Sequence, residues 1–400
     1  MQHLQQFFRA VAFLLSCVLL FDSAAFAQRG LKWAPDGQSY FSYEKGEIVQ
    51  HKLPSEEKQV LFTASELTPA GAKTALQVRN FSLSPDGSKL LVFTNTQKVW
   101  RYDTRGDYWV FDRKSGRLFQ LGKGRPASSL MFAKISPDGK KAAYVSGYNL
   151  YVEDLQNGQI RKLTPDGNRK FIYGTFDWAY EEEFFCRDGF RWSPDSRQLA
   201  FWRIDARHTK DYLMIDNTDS IYPSVKPVEY PVAGEAPSPF RIGVVNIQTA
   251  AIRWMNIPTD PVLQSYVPRM EWAYNSRELI VQHLNRKQNH SDLLLCNAGT
   301  GAVRNIYSES DSAWIDIQPL WDQDYSYGGW DWLSGGKEFV WASEKDGWRH
   351  LYRVQRDGRG EKLITRGNYD VMNISCIDEA GGYVYFIASP ENGTQAYLYR

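Results

Sequence analysis

Short apolar runs alternate with compact polar clusters along most of this chain. Lys89-Leu90-Leu91-Val92-Phe93, Asp107-Tyr108-Trp109-Val110-Phe111 and Asn149-Leu150-Tyr151-Val152-Glu153 are runs of this kind. They read as β-strands, because aromatic and β-branched side chains fit the pleated, half-buried surface of a sheet. The polar clusters form a degenerate repeat: an aromatic position, Ser or Ala, then Pro-Asp-Gly, a polar residue and a further strand. Clear copies are Trp33-Ala34-Pro35-Asp36-Gly37, Ser84-Pro85-Asp86-Gly87, Ser136-Pro137-Asp138-Gly139 and Trp192-Ser193-Pro194-Asp195-Ser196. Weaker copies are Trp272-Ala273-Tyr274-Asn275-Ser276 and Trp332-Leu333-Ser334-Gly335-Gly336, with Asp378 to Gly382 as a further candidate. In each, Pro presets the first turn position, Asp accepts turn hydrogen bonds and Gly takes a positive φ. Several strands per unit, at about 45–60 residues a unit, are the signature of propeller blades. The predicted fold class is all-β, a β-propeller.

The repeat spacing widens between the fourth and fifth copies. The extra length falls around Asp205 to Tyr230 and contains Tyr222-Pro223, Lys226-Pro227 and Tyr230-Pro231, prolines that break regular strands. This stretch is expected to leave the propeller as an arm or hairpin, with a long surface loop as the alternative. The last residues, Tyr397-Leu398-Tyr399-Arg400, fall within a strand pattern and do not look like a closing strand. The propeller is therefore expected to be incomplete at its C-terminus, in a chain that naturally continues.

Composition narrows the partners. Aromatic residues make up 14% of the chain, in keeping with sheet. Lys plus Arg total 47 against 46 for Asp plus Glu, so the basic excess of a nucleic-acid binder is absent and no such partner is expected. Arg9, the apolar run Ala10 to Phe21 and the small-x-small site Ala25-Phe26-Ala27 read as an export signal over residues 1–27. The mature chain would start at Gln28 and be periplasmic or extracellular; an uncleaved anchor is the alternative, although the run is short for a spanning helix. Cys17 lies in that signal, leaving Cys186, Cys296 and Cys376, an odd number that excludes a disulfide scaffold. No C-x-x-C, H-E-x-x-H or phosphate-loop pattern occurs, so no metal and no cofactor is expected.

The chain also carries no Gly-x-Ser-x-Gly nucleophile elbow. By itself it is expected to lack a catalytic residue. Arg349 and His350 follow the hairpin signal Asp346-Gly347 and are read as structural residues of a blade. The unusual stretch is Asp177-Trp178-Ala179-Tyr180-Glu181-Glu182-Glu183-Phe184-Phe185, three consecutive carboxylates between aromatic pairs. Adjacent side chains on a strand point to opposite faces, so two neighbouring Glu can meet one ligand only from a turn or a short helix. Like charges held together repel unless a cation balances them. A peptide's α-amino group, with a pKa of about 7.7–8.0, is such a cation near neutral pH. A solvated acidic helix face is the bland alternative.

Asp-Trp-x-Tyr-Glu-Glu-Glu resembles the N-terminus-binding motif of the dipeptidyl peptidase IV family of S9 serine peptidases. The surroundings agree in order. Trp192-Ser193-Pro194-Asp195 with Leu199-Ala200-Phe201, Tyr222-Pro223 with Val228-Glu229-Tyr230-Pro231-Val232-Ala233-Gly234, and Ser343 to Tyr352 are each similar to family segments. The resemblance covers nearly all of the chain after the signal. It implies most blades of an eight-bladed propeller over residues 28–400, with a short helical insertion carrying the Glu motif. It also implies a catalytic α/β-hydrolase domain, absent here, after residue 400. Glu182 and Glu183 match the pair that holds a substrate's terminal ammonium, while Glu181 matches a residue outside that pair. Trp100-Arg101, ahead of Asp107 to Asp112, resembles the strand bearing an arginine that reaches the substrate carbonyl and braces the pair, which makes Arg101 a substrate-binding candidate. Tyr180 and Cys186 are candidates for lining the pocket, and a buried structural role is the other reading of Cys186.

The resemblance implies a parent enzyme that removes N-terminal dipeptides from peptides with a free N-terminus, with Pro or Ala favoured at the second position. The propeller would gate and position the substrate beside its own hydrolase domain, and a homodimer is a further implied partner. Two alternatives stay open: a non-catalytic periplasmic propeller that binds peptide or protein, and an S9 peptidase of other specificity that would not need the Glu pair.

Overall fold

The computed structural model describes residues 31–34, 37–260, 262, 264–317 and 330–400. The predicted export signal lies outside them, as do Pro35 and Asp36 of the first turn copy. The repeated turns share one hydrogen-bond pattern. The Ser hydroxyl donates to the Asp carboxylate in Ser84–Asp86, Ser136–Asp138 and Ser193–Asp195, at 2.7, 2.6 and 2.7 Å. The same hydroxyl oxygen accepts the N–H that opens the next strand, from Lys89, Lys141 and Gln198, at 2.9, 3.0 and 2.9 Å. The position after Asp is left-handed, with φ of +66° at Gly87, +70° at Gly139 and +62° at Ser196. In the fifth copy Asn275 replaces Asp and accepts from the Arg277 and Glu278 N–H groups.

These turns link antiparallel strands into seven consecutive units among the described residues. The first spans Lys32–Trp33 to Lys58–Phe62, the second Asn80–Leu83 to Arg117–Gln120, the third Leu130–Ile135 to Ile160–Lys162. The fourth runs from Phe171–Tyr173 to Ile252–Trp254, the fifth from Ser265–Trp272 to Val303–Ser310, the sixth from Asp331–Leu333 to Lys362–Leu363. The seventh has three strands, Val371–Asp378, Tyr383–Ala388 and Tyr397–Tyr399.

The apolar runs fill the spaces between units. Side chains alternate along a strand, so each central strand sends one set toward the preceding unit and the other toward the next. Leu90 and Val92 join the cluster shared with the first unit, while Leu91 and Phe93 join the one shared with the third. Leu199 and Phe201 face back toward the third unit, and Ala200, Trp202 and Ile204 face forward to the fifth. Every neighbouring pair of described units has its own core of this kind. Sheets that meet only their neighbours in series are the arrangement of a β-propeller, and the predicted fold class holds.

Polar contacts set the register between units. The indole N–H of Trp192 donates to Lys134 O in the unit before it (3.1 Å), and that of Trp272 donates to Arg191 O (3.2 Å). Ser196 Oγ accepts from Asp138 N–H and Ser276 Oγ from Asp195 N–H, both at 3.0 Å. The last residue of one turn is thus tied to the turn before it.

Two excursions leave the fourth unit. Its first strand is interrupted: Phe171–Tyr173 and Phe190–Trp192 both pair with Gln198–Asp205, and the intervening segment carries the Glu motif. The second excursion is a two-stranded ribbon, Asp211–Asp216 with Ser224–Glu229, which pairs with no blade. Pro227 sits inside a strand of this ribbon, opposite Leu213. A ribbon has two free edges, so a residue without an N–H is accommodated where a central strand would exclude it.

Removing the tie at Ser196 should be measurable. Ser196→Ala loses the acceptor for Asp138 N–H and keeps a β-carbon in the left-handed region, so it should lower stability by about 1–2 kcal/mol. Ser196→Gly suits that backbone and loses only the bond, so its urea midpoint should fall less. Equal midpoints for the wild type and both variants would show that the tie contributes nothing.

Candidate functional site

The Glu motif forms the helix α1, Trp178–Phe184, one of the two conformations, turn or short helix, that would let neighbouring carboxylates meet one ligand. A helix of this length is marginal alone, and its surroundings hold both ends. At the N-terminus Asp177 caps it: Oδ1 accepts Tyr180 N–H at 3.1 Å, and Oδ2 accepts the Ser238 hydroxyl at 2.6 Å. At the C-terminus Phe185 turns left-handed (φ 57°), and the guanidinium of Arg269, from the fifth unit, donates to Phe184 O at 2.9 Å. The neck of the excursion closes where Gly189 N–H donates to Gly174 O, and a β-carbon on Gly189 would lie 2.6 Å from Gly174 backbone.

Aromatic packing fixes the helix's orientation. Tyr180 and Phe184, four residues apart on one face, pack at 5.5 Å, Phe176 stacks on Tyr180 at 5.5 Å, and Phe184 meets Tyr266 edge-on at 5.0 Å. The Tyr180 hydroxyl accepts Val267 N–H at 3.3 Å. Trp178 packs on Tyr230 at the root of the ribbon, 4.4 Å between ring centres. With that face in the core, the three carboxylates fall on the other side of the helix and meet three different environments.

Glu182 is half-buried, and its Oε2 accepts from Arg101 Nη2 at 2.8 Å. Arg101 lies with Trp100 in the two-residue turn of the long hairpin Lys89–Val99/Tyr102–Asp112 of the second unit. It therefore stands at a hairpin tip and not within a strand, as the sequence comparison implied. Its side chain is 72% exposed, so this ion pair is weakly held. Glu183 is exposed and accepts from Gln288 Nε2 at 2.9 Å. Among the described residues no Lys or Arg forms an ion pair with it. Gln288, in a turn of the fifth unit, also accepts Ile315 N–H at 2.6 Å, which draws Trp314–Ile317 beside the Glu pair. Glu183, Phe184, Lys287 and that segment line one open cavity. Glu181 is only 7% exposed and its Oε1 makes no hydrogen bond. Burial pushes its pKa up from 4.5 to about 7, with Arg187 and Arg101 opposing and Glu182 adding to the rise.

The structure thus brings Arg101, Glu182 and Glu183 together from positions far apart in the chain. Tyr180 and Cys186 lie in the core beneath the helix, 1% and 6% exposed. The Cys186 thiol donates to Pro268 O at 3.2 Å, and burial pushes its pKa up to about 11. His350 is buried with Asp346 on Nδ1 at 2.8 Å, and Arg349 pairs with Asp316 and Glu344. Among the described residues no set of three or more His, Cys, Asp or Glu could hold a metal ion. Sequence reasoning missed Gln288, Arg269 and Ser238, which carry no local motif and reach the helix only through the propeller.

Residues 84–400 match the model of the dipeptidyl peptidase IV N-terminal region. The chain is 26% identical to a Mus musculus protein named inactive dipeptidyl peptidase 10, over 92% of this chain and 46% of that one. It is 27% identical to the "Probable dipeptidyl-aminopeptidase B" of Coccidioides posadasii, over 79% of this chain and 36% of that one. The chain spans less than half the length of these two relatives. The crystal structure of Porphyromonas gingivalis dipeptidyl peptidase 4 superposes with a TM-score of 0.84 at 27% identity, over 93% of this chain and 51% of that one. This chain belongs to the dipeptidyl peptidase IV family and corresponds to its N-terminal β-propeller region.

Proposed function

We propose that this chain is the amine-gripping and substrate-gating propeller of an exported serine dipeptidyl peptidase. The observation that carries the reading is the state of the Glu pair. Glu183 is a carboxylate with a neutral amide as partner, beside a Glu182 held by one exposed Arg. An α-ammonium group supplies the positive charge and the three N–H donors that such a pair can accept. Arg101, displaced toward the bound peptide, would donate to its first carbonyl groups. The relatives are about twice the length matched here, which supports a following α/β-hydrolase domain with Ser, Asp and His in that order. With the amine fixed at α1, only a dipeptide's length would separate it from the nucleophile. The enzyme would then remove N-terminal dipeptides, with Pro or Ala preferred at the second position. The propeller's contribution is positioning. One relative is named as inactive, so amine binding has to be tested apart from turnover.

The ribbon is proposed as a homodimer contact. Its residues Leu213, Ile215, Ile221 and Tyr222 are 62%, 73%, 96% and 83% exposed, which is unusual for large apolar side chains.

Calorimetry with glycyl-prolinamide should detect binding to the chain, and N-acetylation of the ligand should abolish it. Glu182→Ala and Glu183→Ala should each remove the binding. In the full-length parent each should lower kcat/KM by about 30-fold to several thousandfold, the equivalent of roughly 2–5 kcal/mol. Unchanged kcat/KM in Glu183→Ala would refute the assignment. For the ribbon, sedimentation should show a dimer that Ile215→Glu with Tyr222→Asp dissociates; a wild type that is monomeric at tens of micromolar would oppose it.

A further inference from the structure

Glu181 is the carboxyl of the motif to which the amine-binding reading gives no task. Glu182 and Glu183 each accept a hydrogen bond from a side chain of another unit. Glu181 is more than nine-tenths buried, with Oε1 unpartnered. An ionised carboxylate left that way is costly. The charged groups that face it are Arg187 in the loop after α1, Glu182 on the helix and Arg101 at the hairpin tip. Arg187 also lies over the ring of Tyr102 at 4.0 Å, so the hairpin tip meets the excursion both at Glu182, through Arg101, and at Arg187.

Charge counting shows what a ligand would do here. With Glu181 neutral, Glu182 and Glu183 stand against Arg101 and Arg187, and Lys287 also lines the cavity beside Glu183. An ammonium group adds one positive charge to a partly desolvated place. A nearby cation favours the ionised form of a carboxyl, lowering its pKa by about 1–3 when within about 4–6 Å. We propose that Glu181 is a positioning residue that sets the charge of the amine site: its carboxyl is neutral in the empty site, and it ionises as an ammonium group settles against Glu182 and Glu183. The proton leaves to bulk water, and one new negative charge compensates the bound cation. Burial, which pushes the empty-site carboxyl up to about 7, supports this geometry. The sign follows from linkage. Binding releases protons, so affinity rises with pH through the Glu181 titration, until the peptide amine begins to lose its own proton at about 7.7–8.0.

This inference rests on the amine-binding reading, and its test separates the two. Glycyl-prolinamide is titrated into the full chain at pH 6.5, where the amine stays protonated, in two buffers of different ionisation enthalpy. The wild type should release a sizeable fraction of one proton, and its affinity should rise on the order of tenfold from pH 5.5 to 7. Glu181→Gln should bind with no release and with a flat profile over that range. Equal release from both proteins, or binding to the wild type without release, overturns the role of Glu181 and leaves the amine reading standing. No binding to the wild type at any pH overturns both. Should Glu181→Gln not fold, carbon NMR of glutamate-labelled wild type gives the same decision. Burial also raises the pKa of Glu153, Glu271 and Glu309, so ligand sensitivity is the readout. One carboxyl titrating near neutrality in the free chain should move to lower pH with ligand, and if no such carboxyl moves, the proposal fails.

Discussion

Burial of both faces of each sheet is the constraint on which the rest of this structure depends. A sheet with Leu90 and Val92 on one side and Leu91 and Phe93 on the other cannot stop at a single partner. Among the described residues the five inner units are each sandwiched between two others, and the sandwiching proceeds in series. Short turns hold the spacing while inter-unit bonds, such as those from Trp192 and Trp272, fix the register. The scaffold gains rigidity from this, because a shift of one unit would misplace two cores at once. Rigidity is what a site assembled from separate units needs.

The Glu helix exploits that frame. It is an interruption of one first strand, too short to persist alone, and it borrows its stability from elsewhere. Ser238 supports its cap, Arg269 holds its last carbonyl, and Tyr266 packs on its aromatic face. Arg101 and Gln288 arrive from the second and fifth units. Like charges forced together by the helix are thereby treated separately, one by an ion pair, one by a neutral amide and one by burial. None of these partners is adjacent in sequence, so the site exists only when the units are assembled.

This explains what could be read from the sequence. The Pro-Asp-Gly turns are local chemistry, and their hydrogen bonds appear as the residue types imply. The apolar runs form strands for the same reason, and the Glu run lies on a short helix, one of the two conformations in which neighbouring Glu could share a ligand. The place of Arg101 at a hairpin tip was not legible, because the turn Trp100-Arg101 has no turn signal and Trp100 enters the left-handed region only as the hairpin closes. The regular strand around Pro227 was not legible either, since proline's exclusion from sheets applies to central strands and a free ribbon escapes it. Gln288, Arg269 and Ser238 are ordinary residues brought to the helix by position alone. The burial of Glu181 is the clearest case: two identical glutamates follow it in the sequence, and only the assembled fold distinguishes it from them.

The division of labour among the three carboxyls follows from helix geometry together with what packs on each flank. Successive residues on a helix turn by about 100°, so three consecutive side chains cannot share one environment. Once Tyr180 and Phe184 are committed to the core, Glu182 points directly away from it and Glu181 and Glu183 lie on opposite flanks; Arg187 and Arg101 face the Glu181 flank, and the Glu183 flank opens on the cavity. A run of two would leave the pair without a titratable neighbour in the core, and the site's charge would be fixed. A third carboxyl on the buried side lets that charge adjust to a cation without moving the backbone. On this argument the buried residue of the run belongs to the electrostatics of the exposed pair, though it need never touch the ligand.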